Sequence, residues 1–390
     1  MSADMNQTQQ DVNESNRSTR REFLGAASAT AVGATLLAGC GPTTQKGNST
    51  GPAGKLALDV HPPRPTCVVA FDANNAVTCD DSGQVLHWLI DKSNNNKISL
   101  NRTFPAAPTA GNAKASFVTA NKNAAPANQA ILVAQYDGNV SIYNWGTLAR
   151  TVFPGHQGAQ VWTVAVLPDN ATAISGDNSG QIYAWDIQSQ SQPPLASYKP
   201  SEEPIASIAA IPVADTGFTA SMFVGFGDGQ ICKLNYLAPQ GGNSGTLTCA
   251  KSFDRGSAIT INSIAVFQKT AGNYYLLAAS LDSRIASYSL AGNGKDRAEH
   301  KKYHNHFIWR LAAAPTSGNF ASASEDGTVY YFNSDGILQN PTPNPTPVYT
   351  DPALKGIMGL DFLEDKRLVV TTNTPSGTSS NPAIAFVPLP

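Results

Sequence analysis

Short runs alternating apolar and polar residues, divided by polar turns, fill this chain from about His61 to its end. Runs such as Thr66–Phe71, Val85–Ile90 and Gly356–Phe362 repeat with a period of two, which predicts strands that each bury one face. Within them one unit recurs: two short runs, a tight turn, then a large apolar residue five places after the turn's last residue. The turns end at Gly83, Gly138, Gly180, Gly229, Ser283 and Gly327, and the large residues are Trp88, Tyr143, Trp185, Leu234, Tyr288 and Phe332. Glycine suits the turn because two-residue hairpins of the favoured twist need a positive φ; Ser283 stands where glycine is expected. Successive turns lie 55, 42, 49, 54 and 44 residues apart, which predicts six copies of one supersecondary unit. Gly356–Phe362, Arg367–Thr372 and Ala383–Leu389 read as a seventh copy, one strand short.

The best-preserved copy is Gly155–Asp186, GHQGAQVWTVAVLPDNATAISGDNSGQIYAWD. Its Gly-His opening and Trp-Asp ending resemble the WD40 repeat, one four-stranded blade of a β-propeller. The resemblance implies an all-β, seven-bladed propeller in one domain over residues 55–390. Lys55–Val60, with Leu56, Leu58 and Val60 alternating, is the expected donor of the missing strand. Pairing this N-terminal strand with the last blade would remove the free edges of the ring. The irregular stretches Asn94–Pro108 and Pro341–Thr350 also leave room for six or eight blades.

In WD40 repeats a histidine, a Ser or Thr, a turn Asp and the Trp form a hydrogen-bonded network inside the blade. The resemblance carries these roles to His156, Ser175 and Trp185 in the third blade. Asp177 lies two places before the usual turn Asp, where Ser179 stands, so this network is expected whole or short of its acid. In the sixth blade His304, Ser324 and Asp326 take the roles, and Phe332 replaces Trp. The implied role is structural, satisfying buried polar groups, so no catalytic residue and no cofactor is expected. Gly180–Asp186 and Val224–Gly229 also resemble the repeats of quinoprotein-type propellers. That likeness keeps an alternative open, an enzyme or a ligand- or metal-binding protein with its site at the central channel.

Composition agrees with many short strands joined by polar turns. Charged residues make up 14% of the chain, below the usual quarter. The formal net charge is −2 with no run of Lys or Arg, which argues against nucleic acid as a partner.

The first 39 residues have the features of a targeting segment. Arg20-Arg21-Glu22-Phe23-Leu24 and the mild Ala/Gly-rich stretch after it resemble a twin-arginine export signal. Leu37-Ala38-Gly39-Cys40 resembles a bacterial lipobox, which implies a lipidated Cys40 as first residue after cleavage. Gly25–Gly39 is too short and too weakly apolar to span a membrane. Residues 40–54 read as a flexible tether, so the expected membrane contact is the lipid alone. Gly41 in place of Asp favours the outer membrane by family analogy, facing the periplasm.

Cys67 with Cys79, and Cys232 with Cys249, flank short turns. In an exported chain these local pairs read as two cross-strand disulfides, or as four buried thiols. His300, His304 and His306 are the one histidine cluster, with spacing that suits a transition metal. No obvious fourth ligand is supplied beside them, and His304 already has a structural role by resemblance. The expected function is a non-enzymatic protein-interaction scaffold in the cell envelope.

Overall fold

The computed structural model describes residues 64–91, 97–105, 114–189, 194–241, 243–254, 259–270, 273–290, 297–299, 302–333, 345–351, 356–372 and 384–390. Cys40, the tether, the Lys55–Val60 closing strand and His300 lie outside them.

The chain forms seven antiparallel meanders in sequence order. Blade 1 contains β1 (Pro65–Ala70), β2 (Asn75–Asp80), β3 (Val85–Asp91) and β4 (Lys97–Thr103). Blade 2 follows with β5 (Ala115–Ala120), β6 (Ala130–Gln135), β7 (Val140–Asn144) and β8 (Arg150–Phe153). Blade 3 has β9 (Val161–Val166), β10 (Thr172–Asp177), β11 (Ile182–Asp186) and β12 (Ala196–Tyr198). In blade 4 the strands are β13 (Ile205–Ile211), β14 (Ala220–Phe226), β15 (Gln230–Leu237) and β16 (Thr246–Asp254). Blade 5 is β17 (Ile261–Thr270), β18 (Asn273–Ser280), β19 (Ile285–Ser289) and β20 (Arg297–Glu299). Blade 6 is β21 (Ile308–Ala313), β22 (Phe320–Ser324), β23 (Thr328–Phe332) and β24 (Thr346–Thr350). Blade 7 shows three strands among the described residues, β25 (Ile357–Glu364), β26 (Arg367–Thr372) and β27 (Ile384–Pro388).

The turns between second and third strands follow the expected glycine pattern with a longer loop. Asp80 N and Asp177 N bond to Gln84 O and Gln181 O, closing three-residue loops rather than two-residue ones. The last loop residue takes the positive φ, 82° at Gly83, 85° at Gly180 and 79° at Gly327. A type I turn followed by a left-handed residue joins strands in this way. Ser283 adopts the same conformation with φ 68°, although a side chain there costs about 1–2 kcal/mol.

The core is divided among the joints between blades. Trp88, Tyr143, Trp185, Leu234, Tyr288 and Phe332 are all buried, and each packs on the preceding blade. Trp185 stacks on Phe153 of β8 at 4.6 Å, Phe332 on Phe320 in its own blade at 4.4 Å and beside Phe267 of blade 5. Trp88 of blade 1 packs with Val369, Ile384 and Phe386 of blade 7, so the ring closes. Ala70 N also donates to Asp361 Oδ2 across this joint at 2.8 Å.

Cysteines divide differently from the expected two bridges. Cys232 and Cys249 are disulfide-bonded between β15 and β16. Cys67 and Cys79 are direct partners in the β1–β2 register, yet both are free buried thiols. Cys67 Sγ turns toward Val118 O of the next blade at 3.9 Å, while Cys79 Sγ lies 3.4 Å from Thr66 Oγ1. Their sulfurs thus pack into the joint between blades 1 and 2 rather than onto each other. Burial, then the neighbouring Cys67, pushes the Cys79 thiol well above its ordinary pKa, which keeps it unreactive.

Candidate functional site: sealed blade networks and the central channel

The third blade assembles its network completely. His156 Nδ1 lies 2.7 Å from Asp177 Oδ2, His156 Nε2 2.7 Å from Ser175 Oγ, and Trp185 Nε1 donates to the same oxygen at 2.8 Å. Asp177 therefore takes the acid's place although it precedes the usual position by two residues. Its other oxygen accepts from Ser179 N, Ser179 Oγ and Gln181 N, pinning the turn. Burial pushes the Asp177 carboxyl up, but the bond and charge of His156 with the Ser179 and Gln181 donors hold it below its ordinary value. The His156 and Asp177 side chains are 0% and 2% exposed.

The sixth blade builds a similar network with one correction. His304 Nε2 meets Ser322 Oγ at 2.7 Å, not Ser324, and His304 Nδ1 meets Asp326 Oδ2 at 3.1 Å. Ser324 instead donates to His306 O at 3.2 Å. Register explains the difference: Ser322 pairs with Tyr330 in the β22–β23 ladder, as Ser175 pairs with Tyr183 in β10–β11. Ser322 precedes Phe332 by ten residues, as Ser175 precedes Trp185 and Thr78 precedes Trp88. Trp88 Nε1 donates to Thr78 Oγ1 at 2.8 Å. Burial opposes ionisation of Asp326, but bonds from His304 and Thr328 outweigh it and hold its pKa well down. Both His304 ring nitrogens face these partners, while His306 is exposed; the two imidazoles do not form a ligand pair. Among the described residues no group of three or more potential metal ligands is brought together.

The inner strands supply a second feature that the linear pattern does not reveal. In every blade the ladder between first and second strands skips the inner strand's second residue, a β-bulge that re-aims the backbone. Three bulged side chains bond to the carbonyl that opens the next inner strand. Thr66 Oγ1 donates to Ala115 O at 2.8 Å, Ser116 Oγ to Val161 O at 2.6 Å, and Asn262 Nδ2 to Ile308 O at 3.2 Å. Ser207, one place later, donates to Ile261 O at 3.0 Å. In blades 3 and 6 the bulged residues are Trp162 and Trp309, bonded to Gln160 and Glu325.

These strands surround a central cavity of about 140 Å³. Arg310 of β21 lies in it, its guanidinium carbon 4.6 Å from the Phe117 ring centroid in blade 2. Its Nη2 is 3.5 Å from Ser116 O and its Nη1 3.5 Å from Trp309 O, both long contacts. One side chain of blade 6 thus reaches blade 2 across the ring. Asp361 also lines the cavity, but its oxygens accept from Ala70 N and Phe362 N at 2.8 Å each. Burial raises the Asp361 pKa, opposed by the charge of Lys122 and these amides.

Arg310, Thr163 and Asn262 were not among the residues singled out from the sequence. A cation in the otherwise apolar run Ile308–Ala312 is the one local signal. Their convergence from three blades has no linear signature.

Comparison with known proteins follows the same lines. The family model described as "WD domain, G-beta repeat" matches residues 146–186 and 298–333. Those segments contain the residues of both histidine networks, His156, Ser175, Asp177 and Trp185 in the first and His304, Ser322 and Asp326 in the second. No curated protein matches the chain. Among solved structures of similar fold is the WD40 β-propeller domain of Doa1. It has 14% identity to this chain and a TM-score of 0.61, with 86% of this chain and 95% of that one covered. Residues 146–186 and 298–333 are therefore similar to WD40 repeats, and the fold is a seven-bladed β-propeller.

Proposed function

We propose that this protein is a lipid-anchored propeller of the cell envelope that acts as a protein-interaction scaffold. WD40 β-propellers are typically interaction scaffolds. The observation that carries the reading is the sealing of the two Ser-His-Asp sets inside their blades. Ser175 Oγ meets both His156 and Trp185, and the histidine is 3% exposed. A nucleophile so placed fastens a blade and meets no substrate, and in such a fold the surface carries the function.

The β13–β14 loop supports the same reading. It holds Val213 at 59% and Phe218 at 36% exposure. Buried Ser221 and Asn235 pin the loop through Asp215, whose amide bonds to Ser221 Oγ at 3.0 Å. Lys233 Nζ adds an ion pair to Asp215 at 2.5 Å. A rigid loop presenting apolar side chains suits recognition of another protein.

Export by the twin-arginine route and anchoring through Cys40 rest on the N-terminal motifs. A Cys40→Ala variant should appear in the soluble envelope fraction; membrane retention with normal processing would overturn the anchor. For the scaffold itself, crosslinking in intact cells followed by pull-down should recover a protein partner with the wild type. The Val213→Asp/Phe218→Asp double variant should lose it.

A further inference from the structure

The cavity at the centre of the ring contains more polar capacity than its protein partners use. Thr163 Oγ1, Asn262 Oδ1 and Arg310 Nε are buried atoms without a hydrogen-bond partner. All three residues line the same cavity. Thr163 and Asn262 are 0% and 1% exposed, so they do not find partners at the outer surface. Three other polar residues there are engaged: Ser207 bonds to Ile261 O, Ser263 Oγ accepts from Leu311 N, and both Asp361 oxygens take amide protons. Leaving a buried polar atom unpaired is unfavourable, so these three atoms call for a partner.

The chemistry of the three atoms specifies a ligand. The Arg310 guanidinium keeps its Nε–H and further N–H groups beyond two long carbonyl contacts, a fork that matches a carboxylate or phosphate. Thr163 can donate to the same anion. Asn262 is oriented by its Nδ2–Ile308 O bond at 3.2 Å, so its free oxygen is an acceptor and seeks a donor. The cavity volume of about 140 Å³ exceeds the ~10–15 Å³ that one water requires, and it admits a molecule of a few heavy atoms. Phe117 beneath the guanidinium gives one apolar wall.

We propose that the central channel binds a small oxyanion carrying a hydroxyl, with Arg310 and Thr163 holding the anion and Asn262 accepting from the hydroxyl. Hydroxycarboxylates and hydrogen phosphate share this chemistry. The site is independent of the scaffold reading, which depends on the outer surface.

Titration calorimetry on the full chain tests it, with glycolate, acetate and inorganic phosphate as probes and chloride as the ionic-strength control. Glycolate or phosphate should bind at one site per chain, and whichever arm binds identifies the source. Acetate, lacking the hydroxyl, should bind about tenfold more weakly than glycolate, the loss expected for one buried hydrogen bond. Thr163→Val, which preserves shape, should weaken binding by about the same factor, and Arg310→Met should abolish it. Should Arg310→Met fail to fold, Thr163→Val and the acetate comparison decide the matter. No heat from any probe beyond chloride would mean that the cavity serves water alone, and binding unchanged in Thr163→Val would mean that the anion is held elsewhere; either result would overturn the proposal.

Discussion

Trp185 Nε1 donates to Ser175 Oγ at 2.8 Å, across ten residues of chain that fold back as one hairpin. Ser175 also meets His156 Nε2, so one oxygen satisfies two buried nitrogens. Replacing Ser175 with Ala should leave both unpaired and cost about 2–6 kcal/mol, since each orphaned group costs about 1–3. Trp185→Phe removes only one donor and keeps an aromatic ring, as the sixth blade does with Phe332. Its cost should be smaller, about 1–2 kcal/mol. Urea unfolding of the two variants checks the order, and equal losses would contradict the shared role of Ser175.

Glycine positions give the sharpest steric test. A Cβ on Gly155 would lie 2.0 Å from Trp185 Cη2, against a fully buried ring in a joint between blades. Gly180 combines φ +85° with a Ser201 carbonyl 2.1 Å from the position of a Cβ. Alanine at either site should destabilise by more than ~2 kcal/mol. Ser283→Gly should do the reverse, relieving the left-handed side chain and adding about 0.5–1 kcal/mol. Thermal unfolding reads both signs, and a stabilised Gly180→Ala would overturn the turn assignment.

Acid should weaken the fold in two stages. Burial, then the Arg102 charge, lowers the His87 pKa to about 4. Between the ordinary histidine value near ~6.5 and about 4, the unfolded chain binds a proton that the folded one refuses. Stability therefore falls as pH drops through that window. Asp177 and Asp326 are held below the usual carboxylate range. Their stabilisation is present above the unfolded value of about 3.9 and is lost as pH falls through the folded values. Urea midpoints from pH 7 downward should show the first stage flattened in His87→Gln. An imidazole signal of His87 titrating near 6.5 would contradict this account.

Redox state should distinguish the two cysteine pairs. The Cys232–Cys249 bridge closes a separation of 17 residues, for which chain entropy gives about 3 kcal/mol. Reduction should lower stability by up to that amount. Cys67 and Cys79 should resist alkylation in the native chain and react on unfolding, because both are buried. A mapped Cys67–Cys79 crosslink would overturn the free-thiol assignment.

The blades were legible in the sequence because their determinants are local. A turn residue with positive φ and a bulky residue five places later fall within one hairpin, so spacing read beside the WD40 resemblance located Gly83 with Trp88 and Gly180 with Trp185. The choice of Ser324 over Ser322 failed for want of register: counting ten places back from Phe332, as Ser175 lies from Trp185, identifies Ser322. Cys67 and Cys79 are adjacent in the ladder, as their positions around a turn suggest, but pairing of backbone does not set the direction of a sulfur. The channel was the least legible part. Thr163, Asn262 and Arg310 are separated by about a hundred and fifty residues in sequence, and a shared cavity made from them depends on ring closure, which no local pattern encodes.

The most direct test of the scaffold reading is crosslinking of the full-length protein in intact cells, followed by pull-down and identification of what is joined to it. We expect a protein joined to the ring in constant ratio at two expression levels, and lost in the Val213→Asp/Phe218→Asp variant while that variant remains folded. Recovery of the folded ring alone, at both levels, would contradict the account.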